Sequence, residues 1–482
     1  MALKDDIAKI VGKESVSDAE KDRLTYSRDH SLVPPGVPEA VAYPKNSQEV
    51  SAILKYCSTN NVPVVPVSSR QHFYGSTIPR QGGLVLDFSR MNSIQEINDA
   101  DRTVRIEAGV SWGQLTTELE KKGMRMIMPL LPPADRSVLT DWLEREVPTN
   151  TVYDYGEPMQ AMEVVWPASD PFRLGSASVN GFPDSKSRGG NPSGPGLDFY
   201  RFVQGAQGTM GVVTWSHIKI EWMPKIDKIF FAPVSDLSYA IEFLHRILPR
   251  RIGQECLLLN NVDLAAILAE QWPNDFKKMA GTLPPWTLIL VISGVFRRPE
   301  EKIAYEEKFL KEVLRNEFRD LVLTEALPGF PGAARKLLPM LRKPWPADKP
   351  YWKNQWKGAS QSLFFIARPA SAPLFIDVVA EVAARHGYAI GDIGMYLQPI
   401  EHMRACQLEF TFSYETHEAP RVASLYTDAA AALLNEGAFF SRPYGELAPM
   451  VYERAAGYAT ALKRVKKVFD PKNIMNPGNL CF

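Results

Sequence analysis

The stretch Gly194-Pro-Gly-Leu-Asp-Phe-Tyr-Arg-Phe-Val-Gln-Gly-Ala-Gln-Gly-Thr-Met-Gly-Val-Val-Thr214 decides how this chain is read. It holds glycines at Gly194, Gly196, Gly205, Gly208 and Gly211 and runs directly into a β-rich segment, 212–222. Glycine is needed where backbone must approach a ligand or take positive φ. Bare N–H groups in such a loop suit a pyrophosphate. No G-x-G-x-x-G sits here between a strand and a helix, and no G-K-[ST] follows, so neither a Rossmann fingerprint nor a P-loop is present. A pair of tight turns ahead of a strand is the plainer reading.

The chain has 482 residues, enough for two domains or more. Hydrophobic residues make up 45% and charged residues 23%, the balance of a globular protein with a large core. Lys+Arg 55 equals Asp+Glu 55, which removes the electrostatic case for nucleic acid or an anionic membrane. No apolar run reaches the length of a bilayer span, and the N-terminus lacks an apolar signal region. The expectation is a soluble, cytoplasmic protein. Cys57, Cys256, Cys406 and Cys481 lie far apart with no C-x-x-C, which argues against zinc, iron–sulfur or disulfides. The histidines are scattered without H-E-x-x-H, so no metal site is expected.

Along the chain, a short strand at 40–44 precedes a helix at 50–59, capped by Asn46 or Ser47 with Glu49 in its first turn. A strand at 62–67 follows, which makes a small βαβ unit. The polar loop Ser68–Ser76 leads to strands at 83–88, 94–97 and 103–108 and a helix ending near Lys122.

These residues carry a resemblance. Pro44-x-x-Ser47-x-Glu49-Val50, Pro63-x-x-Pro66, Gly83-Leu-Val-Leu-Asp87, Arg90-Met-Asn92 and Glu107-Ala-Gly109-Val-x-Trp112 resemble the FAD-binding domain of the vanillyl-alcohol oxidase/p-cresol methylhydroxylase flavoproteins. Gly205-x-x-Gly208-Thr-Met-Gly211-Val-Val and the C-terminal Phe469-Asp-Pro-Lys-Asn-Ile-Met-Asn-Pro-Gly478 continue the pattern. The resemblance implies an α+β fold: a two-part FAD-binding domain (PCMH-type) at 1–225, a ferredoxin-like α+β cap at 226–445, and a return to the first domain at 446–482. It implies that FAD lies against Pro66, Ser68, Ser69, Arg70, Gln71, His72, Gly75 and Ser76 on one side. Gly205, Gly208, Thr209, Gly211, Val213 and Asn476 contact it on the other. The first loop departs from the family, keeping only Gly75 where many members carry several glycines; Arg70 is positioned to compensate with charged hydrogen bonds.

The resemblance also names reacting groups. Glu157, beside Tyr153 and Tyr155, matches the carboxylate near the flavin in the phenol-oxidising branch. Arg442, with Tyr444, matches the arginine that holds a phenolate there. The position of the flavin-linking histidine is Gly394, so non-covalent FAD is expected, with Tyr396 and His72 as secondary candidates for a bond. His402 is a further candidate on the same stretch, on an alternation that assumes a strand. After 225 the expected elements are helices at 234–248, 299–318, 373–385, 419–434 and 452–468 and strands at 255–259, 287–293, 362–367 and 407–412. The segment 329–356 reads as a lid or partner surface, and Lys463, Arg464, Lys466 and Lys467 as a solvated face.

The activity implied is hydride transfer from a 4-alkylphenol or aryl alcohol to FAD. The alternatives are oxidation of a small 2-hydroxy acid, as in the glycolate and D-lactate dehydrogenases, or an FAD electron-relay subunit of a larger complex. The partners expected are the small-molecule substrate and an electron acceptor: oxygen, or a cytochrome, iron–sulfur protein or electron-transfer flavoprotein. A homo-oligomer is expected, with no nucleic acid.

Overall fold

The computed structural model describes residues 3–150, 158–167, 169–179 and 191–482. Glu157, Tyr153 and Tyr155 fall outside these residues.

A four-stranded sheet has the order Val16–Ser17, Ala40–Ala42, Leu84–Asp87, Val64–Val67, the last three parallel. The expected helix spans Ser47–Asn60, and the Asn46 side chain accepts a hydrogen bond from the Glu49 N–H at 2.9 Å. It crosses between two parallel strands, as the βαβ reading requires. The five-stranded antiparallel sheet beside it runs Ile94–Asn98, Thr103–Glu107, Val212–Lys219, Met159–Val165, Phe172–Leu174. One apolar core serves both sheets and includes Ile474 and Met475 from the chain's end. The C-terminal segment lies along Val64, whose N–H donates to the Ile474 carbonyl at 2.7 Å and whose carbonyl accepts from Asn476 at 2.8 Å.

The third large sheet is six-stranded and antiparallel: Ile226–Val234, Trp286–Gly294, Glu255–Asn260, Ile393–Ile400, Ala405–Tyr414, Ala359–Ala367. Side chains alternate across it. Met395, Leu397, Leu408 and Phe410 pack into a core with helices Leu237–Ile247, Pro299–Glu317, Ala372–Arg385 and Ala419–Asn435. Tyr396, paired with Glu409, and Gln398, paired with Gln407, therefore share the opposite face, turned toward the first two sheets. The overall class, mixed helix and sheet, is the expected one.

Three expectations change. Strand Ile226–Val234 was not anticipated; it is an edge strand, which tolerates Pro233. Segment 329–356, read as a lid or partner surface, has Leu337, Trp345 and Trp352 buried in an apolar cluster, and the Trp345 N–H donates to the Pro132 carbonyl at 2.7 Å. The strand carrying Tyr396 ends at Ile400, so His402 sits in a left-handed turn, with φ of 56°. The run Lys463–Lys467 is not wholly solvated, because Lys466 is buried.

Candidate functional site

Two cavities adjoin through the Arg136–Glu144 ion pair. The first lies between the loop after strand Val64–Val67 and the loop before strand Val212–Lys219. Pro66, Ser68, His72 and Ser76 line one side, and Gly208, Gly211 and Val213 the other. Close packing dictates both glycines. At Gly208, with φ of 71°, a Cβ would lie 2.5 Å from Pro66 Cγ; at Gly211, with φ of 107°, it would lie 2.6 Å from Trp166.

Asn476 fixes the two loops relative to one another. Its Nδ2 donates to the Ser76 carbonyl at 2.7 Å and to the Gln207 carbonyl at 2.7 Å. Behind it, the buried Lys466 Nζ donates to the Thr209 carbonyl at 2.5 Å, to the Met475 carbonyl at 3.0 Å and to Asp470 at 2.7 Å. Burial lowers the affinity of Lys466 for its proton, and Asp470 opposes that.

The other expected cofactor residues are supports rather than lining. Gly75, with φ of 81°, donates its N–H to Asp29 at 2.6 Å. Gln71 donates to Asp135 at 2.7 Å. Gly205 donates its N–H to the Leu143 carbonyl at 2.7 Å. Arg70 is exposed, with its guanidinium 5.8 Å from the Tyr26 ring. Ser68 meets Thr140 across the cleft by a hydroxyl–hydroxyl hydrogen bond.

The residues fit a dinucleotide. Asn476 Oδ1, Gln207 Oε1 and Ser69 Oγ are buried without partners around the two loops. Such groups are costly unless a ligand or water satisfies them. Neither ring nitrogen of the buried His72 makes a well-formed hydrogen bond; burial and the Arg136 charge push its pKa down to about 3, slightly opposed by the Ser69 backbone.

The second cavity is walled by Phe73, Tyr74, Tyr351, Trp352 and Tyr396. Arg136, Asp141, Glu146, Lys353 and Glu409 also line it. Every one of these charges is paired. Arg136 Nε donates to Asp141, its Nη2 to Glu144 at 2.8 Å, and its Nη1 to the Gln71 carbonyl at 2.5 Å. Lys353 donates to Glu409. Glu146 accepts from Tyr74 at 3.1 Å and pairs with Arg442 at 2.8 Å. Arg442 also donates to Gln407 at 3.1 Å and stacks on Phe364 at 4.1 Å, so it stands behind Glu146 rather than on the cavity wall. Tyr444 packs against Tyr74 with ring centroids 4.8 Å apart. Tyr396 donates to Gln398 at 2.6 Å. His402 lies apart, where burial and the Arg251 charge lower its pKa against the pull of the Leu248 backbone.

Sequence reading passed over Arg136, Asp141, Glu144 and Glu146. Asp141 lies in the short helix Val138–Leu143, which Ser137 caps, and the other three flank it. Glu144 lines the first cavity and accepts from Ser76 Oγ at 3.2 Å, while Arg136 and Glu146 line the second. Five ionisable residues within eleven positions, these four with Arg145, were the available signal.

Comparison with known proteins agrees with this geometry. Residues 38–133 match the FAD binding domain, and residues 448–480 match the C-terminal domain of FAD linked oxidases. The chain is 24% identical to glycolate oxidase subunit GlcD of Bacillus subtilis, over 99% of this chain and 96% of that one. Among solved structures, p-cresol methylhydroxylase with substrate bound has a TM-score of 0.82 at 18% identity, covering 99% of this chain and 96% of its own. The 4-ethylphenol oxidase of Gulosibacter chungangensis, in complex with isoeugenol, has a TM-score of 0.82 at 18% identity, covering 98% and 95%. The fold is shared with both.

Proposed function

We propose, on the premise that this chain is an FAD-linked oxidoreductase of the p-cresol methylhydroxylase fold, that it takes a hydride from a small aromatic donor, a 4-alkylphenol or aryl alcohol. The observation that carries this is the second cavity: five aromatic side chains around a space that adjoins the first cavity through Arg136 and Glu144. Flat rings select flat donors by stacking and edge contacts. Bound FAD would supply the hydride acceptor and the exit for the electron pair. Pro66, Ser68, Ser76, Gly208 and Gly211 would hold it, with Asn476 keeping the two loops in register.

In this reading residues 1–225 with 446–482 bind FAD and residues 226–445 form the cap. Tyr74 and Tyr351 orient the ring of the donor. Tyr444 and Tyr396 support that wall. Arg136 and Lys353 present positive charge to a phenolate or carboxylate, and Arg442 holds Glu146 in place. Glu157 polarises a water for attack on the oxidised donor. FAD is bound without a covalent bond: Gly394 offers no side chain, and a Cβ there would lie 2.0 Å from Asp263. A protein electron acceptor remains part of the proposal.

A second reading, oxidation of a 2-hydroxy acid, is favoured by the likeness to a glycolate oxidase subunit along nearly the whole chain. Arg136 and Lys353 would then bind the substrate carboxylate. Anaerobic mixing of the holoprotein with 4-alkylphenols, aryl alcohols and 2-hydroxy acids separates the two. Bleaching of the flavin band by the aromatic donors is the expected result. Bleaching by hydroxy acids alone overturns it in favour of the second reading.

A further inference from the structure

We propose that Glu144 is the group that couples reduction of the flavin to uptake of a proton inside this protein. The inference rests on the FAD reading of the first cavity. Two ionisable side chains line that cavity, His72 and Glu144, and His72 is held neutral. Glu144 is placed for the role by its contacts. One oxygen accepts from Ser76 Oγ at 3.2 Å in the cofactor-binding loop, and the other from Arg136 Nη2 at 2.8 Å on the wall of the donor cavity. It is the carboxylate through which the two cavities touch.

The charged surroundings leave it poised. Arg136, Asp141, Glu146 and Arg442 face it from the 136–146 segment and the C-terminal region, with the Tyr444 hydroxyl close by. Burial, followed by the charges of Glu146 and Asp141, pushes its pKa up to about 7 against the pull of Arg136 and Arg442. Near neutral pH such a group is part protonated and answers to a single new charge.

The balance is simple for a donor bearing CH–OH. The C–H bond breaks and the hydride carries two electrons and one proton to the flavin. The hydroxyl releases its proton as the C=O bond forms. The negative charge that bound FAD would gain would raise the proton affinity of Glu144. The released proton ends on Glu144. The sum is a carbonyl product, reduced anionic flavin and a neutral Glu144.

The test is the pH dependence of the flavin midpoint potential, measured on the holoprotein by spectroelectrochemistry with FAD as the bound cofactor. The wild type takes up one more proton per two electrons above pH 7 than Glu144→Gln does, a tenfold difference in the reduction equilibrium for each pH unit. Glu144→Asp keeps the steeper slope. Equal slopes in wild type and Glu144→Gln overturn the proposal. A variant that loses FAD is bypassed by the infrared difference spectrum of wild type, reduced minus oxidised. Gain of a buried carboxylic-acid band supports the assignment, and no such gain overturns it. Failure of wild type itself to bind FAD is a different outcome, and overturns the parent reading.

Discussion

Arg442 and Glu146 form an ion pair, Nη1 to Oε1 at 2.8 Å, with the arginine side chain 1% exposed and the glutamate 13%. It joins the C-terminal part of the chain to the segment after helix Val138–Leu143. Burial alone would raise the Glu146 pKa; the Arg442 and Arg136 guanidiniums outweigh burial and hold it below the ordinary carboxylate value. Its partner therefore keeps Glu146 charged beside the donor cavity.

Removing that partner strands a buried carboxylate. Arg442→Ala is expected to destabilise the fold by about 3–5 kcal/mol, because the loss of one member of a buried pair leaves the other uncompensated. Arg442→Met with Glu146→Gln should recover most of that loss. Urea unfolding of the single and double variants checks both values. Affinity for an acidic donor, measured by flavin reduction, should drop less in the double variant than in Arg442→Ala.

Asn476 should matter for the cofactor more than for folding. Asn476→Ala leaves the Ser76 and Gln207 carbonyls without their shared donor. Two such losses, at about 1–2 kcal/mol each, weaken FAD binding by about 30- to 1000-fold. Titration of apoprotein with FAD, followed by flavin fluorescence, reads this directly.

Lys466→Met tests the support behind that clamp. The variant keeps an unbranched side chain one atom shorter and removes three donated hydrogen bonds, to Thr209, Met475 and Asp470. The expected outcome is about tenfold weaker FAD binding and a lower unfolding temperature, since Asp470 is left buried without its cation. Lys463→Met, three residues earlier, should change neither.

How far the residues foretold this arrangement can be judged from those two lysines. The sequence shows Lys463, Arg464, Lys466 and Lys467 as one basic run, and helical periodicity alone does not say which one turns inward. Gly208 and Gly211 were legible because a backbone needing positive φ and close approach admits little else. Helix Ser47–Asn60 was legible through its cap. The Arg136–Asp141–Glu144 cluster was not, because its meaning depends on burial and on Arg442, 298 positions away from Glu144. His402 was placed with the site on an assumed alternation that a turn breaks at Glu401.

Stability against pH should show two opposed limbs. The Glu144 carboxyl rises from 4.5 to about 7 on folding, chiefly through burial. The native state then holds a proton that the unfolded chain releases, so stability falls as pH rises from 4.5 to 7. The slope is about 1.4 kcal/mol per pH unit, and Glu144→Gln removes it. The buried Asp263, raised from 3.8 to about 7, adds the same sign. His72 falls from 6.5 to about 3, so its contribution is present above pH 6.5 and is lost as pH drops toward 3. His72→Gln should flatten that acid limb. Denaturant unfolding of the apoprotein between pH 4 and 8 measures both.

The central claim is that FAD lies between the Ser68–Ser76 loop and the 205–213 loop, clamped by Asn476. The measurement that meets it most directly is the visible spectrum of the purified protein after incubation with FAD and removal of the excess. The account predicts flavin absorbance equal to one FAD per chain, released intact by acid, and strongly reduced in Asn476→Ala. A wild-type protein that remains colourless under these conditions contradicts it.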